Sequence, residues 1–423
     1  MPGTISRRKL LRTGRQAIVA GGAAVCAGSV LPAVASSSPA KVKGVDYYKK
    51  LGVTPFINAA GTYTVLSAST MPDEVQAAVA LASRQPVHLN ELLEASGEYL
   101  ARRLRCEAAL ITAGAAAALT VGTAACVTAG ADPAILSIPT DMNTLKNEVI
   151  VQESHRYGYD HAIRNCGVRF VEVETLDQYE QAFTDRTVMT HFFNAGEEHI
   201  SREDWVRVAH KHGVPCFNDA AADVPPISNL WNYTQMGFDL VTFSGGKGLR
   251  GPQCTGLLLG RKDLIEAAKK NNSPNSNTIG RGMKVAKEEI VGLVAAVDWF
   301  LVQDDAAMEA EFRQRAERIA GHLKGLPTVE TKIFIPPVAN HVPHLLITYD
   351  QSRIKITGPE VMQKMRQGTP RIELNPGTGG PPASAGLPGG SNTIVVGVWM
   401  MQTGEDLLVA KRLREVLKGA VSP

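Results

Sequence analysis

The sequence predicts an α/β protein, with a large domain on a mainly parallel sheet and a smaller α+β domain after it. Two patterns and the composition carry this expectation. Short apolar runs alternate with longer amphipathic ones through the middle of the chain, as buried strands alternate with helices. Near Val285 the texture changes to one long helical pattern followed by shorter strands. The chain has 423 residues, 44% hydrophobic and 20% charged, enough for two or three domains with large cores.

Taken in order, the N-terminus is a leader. Ser6–Leu11 (SRRKLL) holds paired arginines, Ala17–Leu31 is weakly apolar, and Ala33–Ala35 supplies small residues for cleavage. Residues 1–35 resemble a twin-arginine signal, so export to the periplasm and a mature start near Ser36 are expected. The run is too short and glycine-rich to span a membrane, which takes about 20 apolar residues. A net charge of +3, partly in the first fifteen residues, gives no support for nucleic-acid binding.

Residues 36–60 form an N-terminal segment, 61–290 the large domain and 291–423 the small one. Strands are expected at Ala108–Thr112, Pro133–Ile138, Glu148–Gln152, Val168–Val173, Thr187–Phe193, Val214–Asp219, Asp239–Ser244 and Thr255–Gly260. Helices fit between several of them, one starting at Ser201 as N-cap with Asp204 three residues on. Alternation of this kind argues for a sheet covered on both faces. The last two strands have no room for a helix between them, so one can run antiparallel. The segment 287–326 reads as one helix, His344–Asp350 and Thr393–Met400 as strands, and Gly404–Gly419 as an amphipathic helix. Asn375–Asn392 is too rich in glycine and proline to pack, and reads as a surface loop or a lid.

Without Cys26 of the leader, Cys106, Cys126, Cys166, Cys216 and Cys254 remain, with no CxxC pair, and read as small core residues. No metal site is expected. His341 and His344 have no second pair, and His210–Gly213 (HKHG) reads as a helix end with glycine at C′.

Chemistry concentrates at Ser244–Gly248 (SGGKG), where Lys247 sits between glycines just past a strand. A phosphate-binding P-loop is excluded, because Val241 and Gly248 occupy its required glycine and hydroxyl positions. A solvated lysine in a turn is the plain alternative. Against it stand Asp219 at an earlier strand end and the glycine turn of Thr112–Leu119, which opens a helix. Together these meet the needs of pyridoxal 5′-phosphate (PLP). Amides at Gly114 and Ala115 suit the phosphate, with Ser244 available to it as well. Asp219 suits the ring nitrogen, and Lys247 supplies the amine for a Schiff base.

Six segments, INAAGTYT, ALITAGAAAAL, NEVIVQESHRYGYDHAI, FNDAAADVPP, FSGGKGLRGPQ and IGRGMKVAKEEIVGL, resemble one PLP-dependent family. It groups bacterial selenocysteine synthase (L-seryl-tRNA selenium transferase) with D-glucosaminate-6-phosphate ammonia-lyase, and the likeness, from about Tyr47 onward, is closer to the lyase side. The resemblance implies the aspartate-aminotransferase-like fold type I and a homodimer or higher homo-oligomer with shared active sites. It places Lys247 on the cofactor, Asp219 on the pyridine nitrogen and Gly114, Ala115 and Ala116 at the phosphate. His155 is expected to cover the ring, with a loop histidine as the other reading. Arg281 and Lys284, one turn apart on a helix start, are expected to face the substrate's anionic end, and Arg156 its carboxylate. The export signal and the lack of an arginine-rich segment near Asn90–Leu104 argue against a role on tRNA.

The expected reaction begins with removal of a Cα proton from an amino acid by the freed Lys247. A free lysine has a pKa of about 10.4, so burial or the charge of Arg281 or Lys284 has to lower it. β-Elimination to a 2-oxo acid and ammonia is favoured, with racemisation second and a non-catalytic PLP-binding protein third. Tyr157, Tyr159, Tyr63 and His88 are candidates for the second acid.

Overall fold

The computed structural model describes residues 44–194, 196–381 and 386–422. The chain divides into two compact units, 1–53 and 54–423. In the first, Asp46 caps helix α1 (Tyr47–Leu51) by accepting the Lys49 N–H at 3.0 Å. The leader expected over 1–35 lies outside the described residues. Among the described residues no helix is long and apolar enough to cross a membrane.

The second unit begins with β1 (Ile57–Ala59), α2 (Asp73–Ala82), α3 (Leu89–Leu104), β2 (Ala108–Thr112), α4 (Ala115–Thr128) and α5 (Asp132–Ser137). Its middle runs β3 (Glu148–Gln152), α6 (His161–Arg164), β4 (Arg169–Val173), α7 (Leu176–Gln181), β5 (Thr187–Phe193), α8 (Arg202–Lys211), β6 (Cys216–Asp219), α9 (Asn229–Met236), β7 (Leu240–Ser244), β8 (Gly256–Gly260) and α10 (Lys262–Asn271). The rest is α11 (Lys287–Leu301), α12 (Asp305–Leu323), β9 (Glu330–Phe334), β10 (His344–Thr348), α13 (Gly358–Arg366), β11 (Ile372–Leu374), β12 (Thr393–Gly397) and α14 (Glu405–Lys418).

Seven strands form the large sheet among the described residues, in the order β2-β8-β7-β6-β5-β3-β4. Only β8 runs against its neighbours, as the short β7–β8 connection requires. Apolar alternation decides which helix covers which face. An added Cβ at Gly122 of α4 would come within 2.5 Å of the Phe217 ring, so α4 packs on the Phe217 face of β6. Cys216, pointing the other way, lies 3.9 Å from His210 of α8. The sheet is thus buried on both sides, and Leu110, Ile150, Val241 and Leu258 are essentially inaccessible.

A second core gathers around the antiparallel sheet β12-β10-β9 and the parallel pair β1-β11, with α12 and α14 against it. The three-residue pairing Ile57↔Ile372 to Ala59↔Leu374 stitches the start of this unit to its end. β1, β9 and β11 were beyond sequence reading, because two are three residues long and β9 is a half-exposed edge strand.

Three expectations need correction. Pro133–Ile138 is not a strand but the end of α5, where Asp132 and Pro133 occupy helix-starting positions and only Ile135 of the helix is buried. The long pattern after Lys287 is two helices, because Asp304 leaves helical geometry and accepts from the Ala306 and Ala307 amides at 2.9 and 3.2 Å. The glycine- and proline-rich segment packs in part. Asn375 and Thr378 are buried, and Asn375 donates to the Ala60 carbonyl at 2.9 Å.

Asp304→Ala removes both capping bonds, and the expected cost is about 1 kcal/mol of stability. Chemical denaturation midpoints of the two proteins measure it, and an unchanged midpoint contradicts the cap.

Candidate active site

Lys247 lies on a tight loop between β7 and β8. Gly245 N–H donates to the Thr255 carbonyl and Gly251 N–H to the Gly245 carbonyl, both at 2.8 Å. The glycines flanking the lysine are required by close approach. A Cβ on Gly248 would sit 1.9 Å from the Val224 carbonyl oxygen, so the loop lies directly on the chain that follows β6. Ser69 donates to the Gly246 carbonyl at 2.7 Å and Gln253 to that of Thr64 at 3.0 Å, which fixes the loop from the other side.

This contact brings Lys247 to two carboxylates, Asp219 at the end of β6 and Asp223 in the turn beyond it. Burial pulls the Lys247 ammonium below its ordinary pKa, while the charges of Asp219 and Asp223 oppose that pull. Neither Arg281 nor Lys284 is among the charges acting on it. Its Nζ makes no hydrogen bond among the described residues. Burial likewise raises Asp219, against the Tyr157 hydroxyl, the Ala221 N–H at 3.0 Å and the Lys247 charge, which favour its ionised form.

Asp223 and its partners carried no motif and were missed. Its carboxylate accepts from Asn194 Nδ2 at 2.6 Å and from the Tyr233 hydroxyl at 3.0 Å. Burial pushes it up to about 6, with the Asp219 charge adding to the effect and the two hydrogen bonds resisting it. Arg202 Nε holds Asn194 Oδ1 at 3.1 Å, completing a buried chain under the strand ends. The four-residue spacing of the acids in Asp219–Asp223 was the available signal.

The α4 N-terminus lies at the same strand edge. Gly114, with φ 92°, is its N-cap; no side chain caps the helix and no acid sits in its first turn. Its first amides are therefore open to an anion. A Cβ on Gly114 would meet nothing within 4 Å, whereas one on Gly256 of β8 would lie 2.4 Å from the Gly114 carbonyl carbon. Ser244 pairs with Gly256 across the sheet, so it shares this edge. The donor set fits PLP: open amides and Ser244 for the phosphate, a buried acid for the ring nitrogen, and a desolvated amine for the aldehyde. A cleft of about 360 Å³ runs beside α4, lined by Ala116, Ala117, Thr120, Asn165, Met283 and Lys284. It includes Lys284 but neither Arg281 nor Lys247.

Other expected site residues fall elsewhere. His155 presents no free ring face. It is fully buried, edge-on to Phe192, with Nδ1 accepting the Phe193 N–H at 3.1 Å, and burial lowers its pKa to about 4. The ring that reaches Asp219 is Tyr157, stacked on Phe193 at 3.8 Å. Arg156 does not face the site. Its guanidinium pairs with Asp160 and Glu172 over the Phe170 ring, at the sheet's β4 edge. Arg281 and Lys284 precede α11 rather than start it, because the Gly280 region bridges to Asn272 and Ala286 is the N-cap. Tyr159 and His88 are exposed, and Tyr63 accepts from Asn375 Nδ2 at 3.0 Å.

Residues 56–335 match the family described as SelA, L-seryl-tRNA selenium transferase. A 5′-C-glycyluridine monooxygenase-decarboxylase of Streptomyces sp is 30% identical over 342 residues, 77% of this chain and 83% of that protein. The D-glucosaminate-6-phosphate ammonia lyase of Salmonella typhimurium (strain 14028s) is 32% identical over 288 residues, 65% of this chain and 75% of that one. A solved D-glucosaminate-6-phosphate ammonia-lyase superposes with TM-score 0.74 at 27% identity, covering 89% of this chain and 99% of its own. The fold is that of fold type I PLP-dependent enzymes, and PLP is the cofactor. The desolvated lysine, its acid and the open helix end thus stand in a family frame, and the chain belongs to the PLP-dependent SelA family.

Proposed function

We propose that this enzyme carries out β-elimination on an amino acid, releasing ammonia and a 2-oxo acid. One observation carries the reading: the half-buried Lys247 amine makes no hydrogen bond among the described residues, and burial lowers its pKa against the charges of the buried Asp219 and Asp223. The ammonia lyase at 32% identity supports the reaction class. When bound, PLP supplies an electrophilic carbon and a sink for electrons.

The chain's own groups do the rest. Lys247 would hold the cofactor's aldehyde carbon and act as the base for the Cα proton, a role its lowered pKa favours by increasing the neutral amine. Asp219 would pair with the ring nitrogen, Gly114, Ala115, Ala116 and Ser244 would hold the phosphate, and Lys284 with Arg281 would receive the substrate's anionic end. The Tyr157 hydroxyl donates to Asp219 and holds that carboxylate in position at the ring-nitrogen end of the site. We further infer a homo-oligomer and export by the twin-arginine route. Exposed Val65, Leu81 and Val87 are consistent with the assembly, and the Arg7–Arg8 pair with the export.

Purified protein given D- and L-amino acids is expected to release 2-oxo acid and ammonia, and Lys247→Ala to lose roughly 10²–10⁴-fold of that activity. Inversion of configuration without ammonia supports racemisation instead. Carbon dioxide release with oxygen uptake supports the chemistry named for the Streptomyces relative, and an unchanged spectrum with every amino acid supports a binding protein. Cell fractionation is expected to find the shortened chain in the periplasm, and Arg7→Lys with Arg8→Lys to retain it inside.

Asp223 also gives a pH signature. Its folded-state pKa of about 6 lies above the unfolded value, so its stabilising contribution is full below about 4 and is lost as pH rises through 6. The size is about 3 kcal/mol for two pKa units. Denaturation at pH 4.5 and 7.5 is expected to show about 2 kcal/mol of this fall in the native chain and not in Asp223→Asn; equal slopes contradict it.

A further inference from the structure

At the N-terminal ends of the interior strands β6 and β7, the end opposite the Lys247 loop, side chains from three elements converge. His210 is in the last turn of α8, Cys216 is the first residue of β6, and Asp239 immediately precedes β7. His210 Nε2 lies 3.0 Å from Asp239 Oδ2, Cys216 Sγ 3.3 Å from the same oxygen, and Sγ 3.9 Å from Nε2. Among the described residues this is the one group of three or more such side chains close enough to share a cation.

We propose that His210, Cys216 and Asp239 bind a zinc-class divalent cation, with water as the fourth ligand. Zinc bonds of about 2.0 Å to nitrogen and oxygen and 2.3 Å to sulfur make tetrahedral edges of roughly 3.2–3.7 Å. The observed separations bracket those edges, so a small turn of the half-exposed His210 closes the set. Thiolate, imidazole and carboxylate together select a borderline-soft ion over magnesium or calcium. Cys216 and Asp239 are buried, and the exposed side of His210 leaves water access to the open position.

Two further observations favour an ion over a hydrogen-bonded clamp. Asp239 Oδ2 is crowded by three polar groups, the Cys216 N–H at 2.8 Å, His210 Nε2 at 3.0 Å and the Cys216 thiol at 3.3 Å, the last also 3.6 Å from the Gly237 carbonyl. A cation removes that crowding: the thiol proton leaves to solvent, the imidazole turns acceptor, and thiolate and carboxylate balance the ion's two charges. Asp239 Oδ1 is meanwhile held by Arg261 Nη1 at 3.1 Å, the outer contact that orients a ligating carboxylate. Sequence reading expected no metal, because these ligands are 6 and 23 residues apart and form no local spacing.

The test uses the full PLP-loaded chain stripped with a chelator and titrated with Zn²⁺, then with Co²⁺ as a visible probe. One ion per chain is expected, with a thiolate-to-cobalt charge-transfer band. His210→Gln, at an exposed position, is expected to weaken binding by at least about 10-fold. Cys216→Ser is expected to abolish the band, while Cys254→Ser and the PLP content stay unchanged. No stoichiometric ion, no thiolate band, or equal affinity in the native chain and His210→Gln assigns the cluster to a hydrogen-bonded clamp and overturns the proposal. PLP chemistry at Lys247 is read separately by the amino-acid assay, so either idea can fail alone.

Discussion

A half-buried lysine amine and two buried carboxylates within each other's field set the terms for the rest of the active-site architecture. Burial alone neutralises such groups, and attraction between opposite charges restores part of what burial costs. In this chain Lys247 is lowered and Asp219 raised by burial, and each opposes the other's shift. The net lowering favours the neutral form a nucleophile and base requires. It also depends on position, which the Gly248–Val224 contact supplies by pressing the lysine loop against the turn after β6.

Around this centre the protein arranges neutral, hydrogen-bonded groups instead of further charge. His155 and His191 are buried, and burial takes them down to about 4 and about 3, so both are neutral near pH 7. Asp223 is tied by Asn194 and Tyr233, and Asp219 by Tyr157 and its own turn. The hydrogen-bonded chains through Asp219 and Asp223 fix side-chain positions at the strand ends, where a parallel sheet leaves a crevice.

Segments distant in sequence close the rim. Asn340 N–H donates to the Ala222 carbonyl at 2.7 Å, next to Asp223, and Asn375 bridges the Ala60 carbonyl and the Tyr63 hydroxyl. Arg250 reaches Thr70 at 2.8 Å. These bonds tie Asn375 and the Arg250 loop to the chain between β1 and α2, and Asn340 to the turn after β6.

Periodicity and local chemistry made much of this legible in advance. Seven of the eight strands expected before Gly260 are strands, because buried runs of Val, Ile and Leu between turn residues have few other uses. Lys247, Asp219 and the Gly114 turn stood out by residue type at the ends of such runs. The resemblance tied them to PLP. What the sequence left open depended on which faces meet. Tyr157 rather than His155 reaches Asp219, Arg156 is taken by Asp160 and Glu172, and Asp223 joins the lysine's field only when the strands pair. The His210, Cys216 and Asp239 cluster likewise exists only in three dimensions. Local sequence governs secondary structure through side-chain period and turn chemistry, but charge partners are set by distance in space, and only the folded sheet decides those distances.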